Sequence, residues 1–107
     1  MTDTLSRLHA TILARKGADA STSYTASLFA RGRGRIAQKL GEEAVEAVIA
    51  AIANRREELI GEAADLLFHL HVLLADMDIE PAEVFAELDR REGTSGLVEK
   101  AARKKEV

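Results

Sequence analysis

Cysteine is absent from the 107 residues, and so is tryptophan. The lack of cysteine excludes disulfides, thiolate-held zinc and a cysteine nucleophile. There is one proline, Pro81, and only 4% of the residues are aromatic. Few breakers beside many Ala, Leu, Glu and Arg residues favour helix throughout, and they make the core aliphatic. The net charge of −3 offers no basic field of the kind that holds nucleic acid. The most apolar run, Ala63 to Ala75, contains Asp65, His69 and His71, and it falls short of the roughly 20 residues a bilayer span requires. Met1 to Ala10 lacks the apolar centre of a secretion signal. The expectation is a cytoplasmic protein with no nucleic-acid and no membrane partner. No P-loop GxxxxGK[ST] is present, and no strand precedes Gly32-x-Gly34, so neither nucleotide fingerprint applies. The remaining composition, 47% hydrophobic and 31% charged, fits a single globular domain over residues 1–107.

Leu5, Leu8, Ile12 and Leu13 fall at helical spacing and predict a first helix from about Asp3 to Lys16. Gly17 ends it, and a loop runs to Ser23. Tyr24 to Ala30 reads as a short helix or turn, followed by a flexible basic link, Arg31-Gly32-Arg33-Gly34-Arg35. A third helix is expected from about Arg35 to Ala53. Its stretch from Ala44 to Ala53 is apolar nearly all round except at Glu46. Such a helix is buried on every side, yet a short chain has little with which to cover it. A second subunit is therefore expected, most simply in a homodimer. Asn54 as N-cap, with Glu57 at the third helical position, predicts a fourth helix from Arg55 to Met77. Its core stripe is Leu59, Ala63, Leu66, Leu67, Leu70, Leu73 and Leu74. Pro81 opens a fifth helix ending near Arg91. Gly93 and Gly96 then break the pattern ahead of a basic tail, Leu97 to Val107, read as a final helix or a mobile end. The fold class is all-α: a bundle of about five helices around a central antiparallel hairpin, completed by dimerisation.

The chemistry lies in carboxylates. Glu43 and Glu46 are three residues apart on the third helix, and Glu62 and Asp65 are three apart on the fourth. Residues at that spacing share a helix face. Glu46 and Glu62 are each eight residues from Asn54, and Glu43 and Asp65 are each eleven. If the chain folds back at Asn54, partners therefore stand at equal heights, and four carboxylates converge. Glu43 interrupts the apolar run Ile36, Leu40, Ala47, Ala50, and Glu62 interrupts Leu59, Leu66, Leu70, Leu73. Buried, unpaired carboxylates are costly and raise one another's pKa. Basic partners or metal ions relieve them, and an all-oxygen ligand set suits Mg²⁺, or Mn²⁺ as a substitute. An EExxE run alone is ordinarily a solvated helix face; two such pairs at matched heights on apolar stripes point to a metal site. Arg31, Arg33, Arg35 and Lys39 supply nearby cations for phosphate, although a basic loop taken alone is as readily a solubilising one. His69 reads as a satisfied core or supporting histidine, and Tyr24 as a packing residue.

The pattern Glu42-Glu43-x-x-Glu46 followed by Glu62-x-x-Asp65 resembles the all-alpha nucleotide pyrophosphohydrolase superfamily, which includes MazG-type enzymes and dimeric dUTPases. Within it, SYTASLFARGRGRIAQKLGEEAVEAVIAA (23–51), EELIGEAADLLFHLHVLL (57–74) and LDRREGTSGLVEKAARK (88–104) are similar to the phosphoribosyl-ATP pyrophosphohydrolase family. The resemblance implies Mg²⁺-dependent hydrolysis of phosphoribosyl-ATP to phosphoribosyl-AMP and pyrophosphate, the second step of histidine biosynthesis. It implies a cytoplasmic helical-bundle dimer; some relatives are fused to a cyclohydrolase with cysteine-held zinc, and a chain this short and without cysteine is expected to be the stand-alone form. Carried over, Glu43, Glu46, Glu62 and Asp65 are the metal ligands, and Glu42 orients or deprotonates the attacking water. Arg33, Arg35, Lys39 and Lys100 contact phosphates, and GTSGLVEK either closes over substrate or is mobile. Two rivals share parts of this pattern. A house-cleaning NTP pyrophosphohydrolase has the same metal motif, and a non-enzymatic helical dimerisation module explains the apolar faces but not Glu43 and Glu62.

Overall fold

The computed structural model describes residues 3–93 and 96–106, and among them every regular element is α-helix. Helix α1 spans Thr4–Arg15, α2 Tyr24–Arg31, α3 Arg33–Ile52, α4 Arg56–Asp76, α5 Pro81–Glu92 and α6 Gly96–Glu106. The tail is thus helical over α6. Thr94 and Ser95, in the segment expected to close over substrate, lie outside the described residues.

Local chemistry sets the starts. Asp3 caps α1 by accepting the Ser6 amide at 2.7 Å, and Ser23 caps α2 by accepting that of Ala26 at 3.1 Å. Glu80 and Glu83 form a reciprocal capping box around Pro81 at the start of α5. Farther along α5, Arg90 and Arg91 bond Glu87 and hold its carboxyl down at about 2.

Two boundaries differ from the expectations. The basic stretch Arg31 to Arg35 is not a flexible link: Arg31 ends α2, Arg33 begins α3, and only Gly32 lies between them. Gly32 stands at φ 92°, a conformation open to a residue without a Cβ. Asn54 is not the N-cap of α4. It adopts φ 59° in the turn, and Arg55 precedes α4 with no side-chain cap. Asn tolerates the left-handed region, so the turn uses its backbone rather than its amide. The Asn54 amide donates to the Ala51 carbonyl at 3.1 Å and the Arg55 amide to that of Ala50 at 2.9 Å. These two bonds are the Schellman pair that closes a helix C-terminus. The end of α4 repeats the device: Asp78 has φ 56°, with bonds from Asp78 to Ala75 and from Ile79 to Leu74.

Helices α3 and α4 pack against each other along the hairpin, and α1 and α2 lie across one end of it. There the core forms from Ile12, Leu28, Ile36, Val72 and Ala75, with Leu8, Phe29, Phe68 and Leu73 against it. Lys16 reaches over this end, donating to the Ala75 carbonyl at 3.0 Å. The turn end is bare. Val45, Val48, Ile49 and Ile52 stand exposed along α3, Ile52 at 85%, and Ile60 and Leu67 do so on α4. Leu67 therefore leaves the expected core stripe, while His69 and His71 enter the interior. The stretch expected to be covered on every side is covered within one chain only on the face of Ala44, Ala47 and Ala50.

The turn yields a test. Asn54→Gly should leave stability unchanged or raise it by up to about 1 kcal/mol, since glycine enters the left-handed region freely. Asn54→Ala should cost about 1 kcal/mol for the opposite reason. Chemical denaturation reads both; an N-capping Asn54 would make the glycine variant the less stable of wild type and variant.

Candidate metal and phosphate site

The hairpin carries the acidic residues to one place. Glu43 from α3 meets Glu62 and Asp65 from α4, with one oxygen of each within 4.8 Å of the others. Glu43 is the deepest, 7% exposed. It lies on the α3 stripe whose buried members are Ile36 and Ala50, so packing forces it inward. Glu62 is half-buried and Asp65 exposed, which leaves the cluster open on one side. Glu62 Oε2 is buried and has no hydrogen-bond partner.

Electrostatics follow from this crowding. Hydrogen bonding to Glu43 and then Glu46, with burial and the charges of both neighbours, pushes the Glu62 carboxyl from 4.5 up to about 7. Burial pushes Glu43 upward as well. Hydrogen bonding with Glu62, the Lys39 ammonium, Glu46 and His69 together outweigh that burial, and Glu43 sits below its usual value. Without a cation, then, Glu62 binds a proton more readily than an ordinary carboxyl, which eases its repulsion with Glu43. A buried, partnerless carboxylate oxygen beside two more carboxylates fits a hard divalent cation, which accepts oxygen ligands in number. Glu43, Glu62 and Asp65 are the residues that could hold one. Glu46 is exposed and stands just outside the group of three, close enough to shift both Glu43 and Glu62.

The other expected site residues divide. Lys39 Nζ lies 3.3 Å from Glu42 and 3.5 Å from Glu43. Its hydrogen bond to Glu42, more than any other cause, raises its pKa. Glu42 accepts from Gln38 Nε2 at 3.2 Å and has Arg35 at 3.7 Å. It therefore borders the cluster among donors rather than entering it. Arg33 is elsewhere. It pairs with Asp76 at 2.8 Å, and ten residues of α3 place it about 15 Å along the axis from Glu43. Lys100 is exposed on α6, a helix that packs extensively on none of the others among the described residues.

Sequence reasoning passed over a contact beside the cluster. Tyr24, expected to pack, is 57% exposed, and its hydroxyl lies 3.2 Å from His69 Nε2. His69 Nδ1 is 2.8 Å from the Asp65 carbonyl. A carbonyl only accepts, so Nδ1 donates, and in the neutral ring Nε2 receives the tyrosine proton. His69 is thus the satisfied, supporting histidine that was expected. The signal in the sequence was the step of one helical turn from Asp65 to His69; nothing there tied Tyr24 to it.

An antiparallel helical hairpin that gathers three carboxylates, with lysine and arginine at their border, defines the class: an all-α protein with an acidic cluster at the centre of its hairpin. Residues 5–92 match the phosphoribosyl-ATP pyrophosphohydrolase family, and the chain belongs to that family. A relative from Rhizorhabdus wittichii named phosphoribosyl-ATP pyrophosphatase is 68% identical over 105 residues, covering 98% of this chain and 99% of its own. Proteins of the same name from Paramagnetospirillum magneticum and Rhodobacter capsulatus are 60% and 63% identical, over 94% and 92% of this chain and 93% and 96% of theirs.

The shared proton gives a pH dependence with a definite sign. Native Glu62 titrates at about 7 against an ordinary 4.5. Between those values the native state binds more protons than the unfolded one, so metal-free stability should fall as the pH rises through that window. Melting temperatures without divalent cations should show this slope, and Glu62→Gln should flatten it. An unchanged slope in the variant would remove Glu62 as its source.

Proposed function

We propose that this protein hydrolyses phosphoribosyl-ATP to phosphoribosyl-AMP and pyrophosphate, the second step of histidine biosynthesis, with Mg²⁺ as cofactor. The observation that carries the reading is the convergence of Glu43, Glu62 and Asp65 from the two arms of the hairpin, in a chain of this family.

Glu43, Glu62 and Asp65, with Glu46 at their edge, would hold the cation. When bound, Mg²⁺ supplies positive charge for phosphate oxygens and makes water more acidic. The remaining work belongs to the chain. Lys39 and Arg35 line the approach to the cluster and neutralise phosphate charge. Glu42, already accepting from Gln38, orients a water and takes its proton as the water oxygen bonds to phosphorus. The bridging P–O bond breaks on the opposite side, and pyrophosphate leaves. Arg33, bound to Asp76, and Lys100 reach phosphate only if substrate draws them in; they are the outer members of the set.

Pyrophosphate release from phosphoribosyl-ATP, with and without Mg²⁺ and beside ATP and dNTPs, tests the reading directly. Release from phosphoribosyl-ATP alone is expected. Comparable turnover of dNTPs would move the protein to the house-cleaning class, and no turnover of any would leave a dimerisation module. Glu43→Gln and Asp65→Asn should each lower kcat about a hundredfold or more, the scale of one lost electrostatic contact in the transition state. A Glu42→Gln protein with full kcat would remove Glu42 as the base.

The same reading includes a homodimer. Val45, Val48, Ile49 and Ile52 follow one another at helical spacing on α3, all more than half exposed, with Ile60 nearby on α4. A continuous apolar stripe of this kind needs a partner surface, and a second copy offers the same one, as two-fold assembly requires. Light scattering should give twice the chain mass. Ile49→Lys should shift the protein towards monomer and lower its melting temperature, and a monodisperse wild-type monomer at high concentration would exclude the dimer.

A further inference from the structure

Four aromatic side chains are present, Tyr24, Phe29, Phe68 and Phe85, and only Tyr24 has most of its surface in solvent. An exposed aromatic ring is unremarkable when it is loose. This one is fixed at its hydroxyl by His69, which is itself fixed to the Asp65 carbonyl. The Phe68 ring flanks it at 6.2 Å with an interplanar angle of 24°, and the His69 ring meets it edge-on at 6.1 Å and 81°. With Phe68 stacked beside it and His69 at the hydroxyl edge, Tyr24 is still 57% exposed, which leaves ring surface for a further stacking partner. Through the single side chain of His69 the ring is joined to the backbone of Asp65, a member of the acidic cluster. It thus borders the place where the carboxylates and Lys39 would receive phosphate.

We propose that Tyr24 is the platform on which the purine base of the substrate stacks. The inference rests on the nucleotide reading above, and it assigns the part of the substrate that the acidic and basic groups leave unrecognised. A flat, exposed aromatic face binds any base by stacking. The hydroxyl lock removes ring motion that binding would otherwise have to freeze. The affinity so gained belongs to the bound state as a whole, not to the transition state alone, and it should appear in KM rather than kcat.

Tyr24 is the single tyrosine in a chain without tryptophan, so intrinsic fluorescence reports on it alone. Wild-type protein is titrated in Mg²⁺ with AMP, and with ribose 5-phosphate as a control lacking the base. Excitation is set at the red edge of tyrosine absorption, where adenine absorbs little. AMP should quench the emission saturably and ribose 5-phosphate should not. Tyr24→Leu, which keeps apolar bulk, should weaken AMP binding by calorimetry and raise KM for phosphoribosyl-ATP about tenfold, the scale of one lost base stack. Its kcat should stay within about twofold of wild type, as for a uniform binding contact. Tyr24→Phe, which keeps the ring and loses the lock, should bind AMP nearly as wild type does. Absence of AMP quenching, a Tyr24→Leu protein with unchanged KM, or equal loss in the Phe and Leu variants would each overturn the platform. Quenching by AMP without hydrolysis of phosphoribosyl-ATP would keep the platform and reject the reaction; hydrolysis without quenching would do the reverse.

Discussion

Glu43 is buried between α3 and α4, opposite Glu62 and Asp65. Three carboxylates at that separation repel one another strongly in a medium less polarisable than water. Their mutual repulsion is the constraint the remaining structure answers. Lys39 stands one turn before Glu43 and pairs with it. Glu62 holds a proton more tightly than an ordinary carboxyl does. The cluster keeps one open side, at Asp65, where a cation or a charged substrate can enter. Each of these features lowers the cost of keeping acids inside, and together they leave the site short of positive charge in a way that ligands can supply.

The distribution of packing follows. At the end of the hairpin away from the turn, α1 and α2 complete a core around Ile36 and Val72. At the turn end no helix of the same chain covers Val48, Ile49 or Ile52. The carboxylates lie between these two halves, with a rigid packed end behind them and an uncovered end ahead. A site in that position is braced from one side by the chain itself and, in the proposed dimer, from the other by a second copy.

Much of this was legible in the sequence, because helix content and register rest on periodicity. Counting outward from Asn54 was enough to bring Glu43 beside Asp65, and apolar neighbours were enough to turn Glu43 inward and Glu62 part of the way, while Asp65 and Glu46 stay exposed. Less was legible where a residue has two uses. Asn54 is a good cap and also a good left-handed residue, and the sequence does not say which property the turn takes. Arg33 is a phosphate contact by type, but the chain gives it Asp76, a partner 43 residues away that no local pattern reveals. Tyr24 and His69 are separated by 45 residues. Their contact depends on how α2 crosses the hairpin, which is a matter of tertiary packing rather than of spacing.

The paired Schellman ends around α4 fix where that helix starts and stops, and this bears on which changes of chain length the protein can accept. One residue added within α4 before Glu62 would rotate Glu62 and Asp65 by about 100° and carry them ~1.5 Å along the axis, away from Glu43. The same insertion between Gly17 and Thr22 meets a surface loop held mainly by its own short-range bonds around Asp19. Insertions and deletions accumulated over evolutionary time should therefore gather in that loop and beyond α5, while the distance in sequence from Glu43 to Asp65 behaves as a fixed interval.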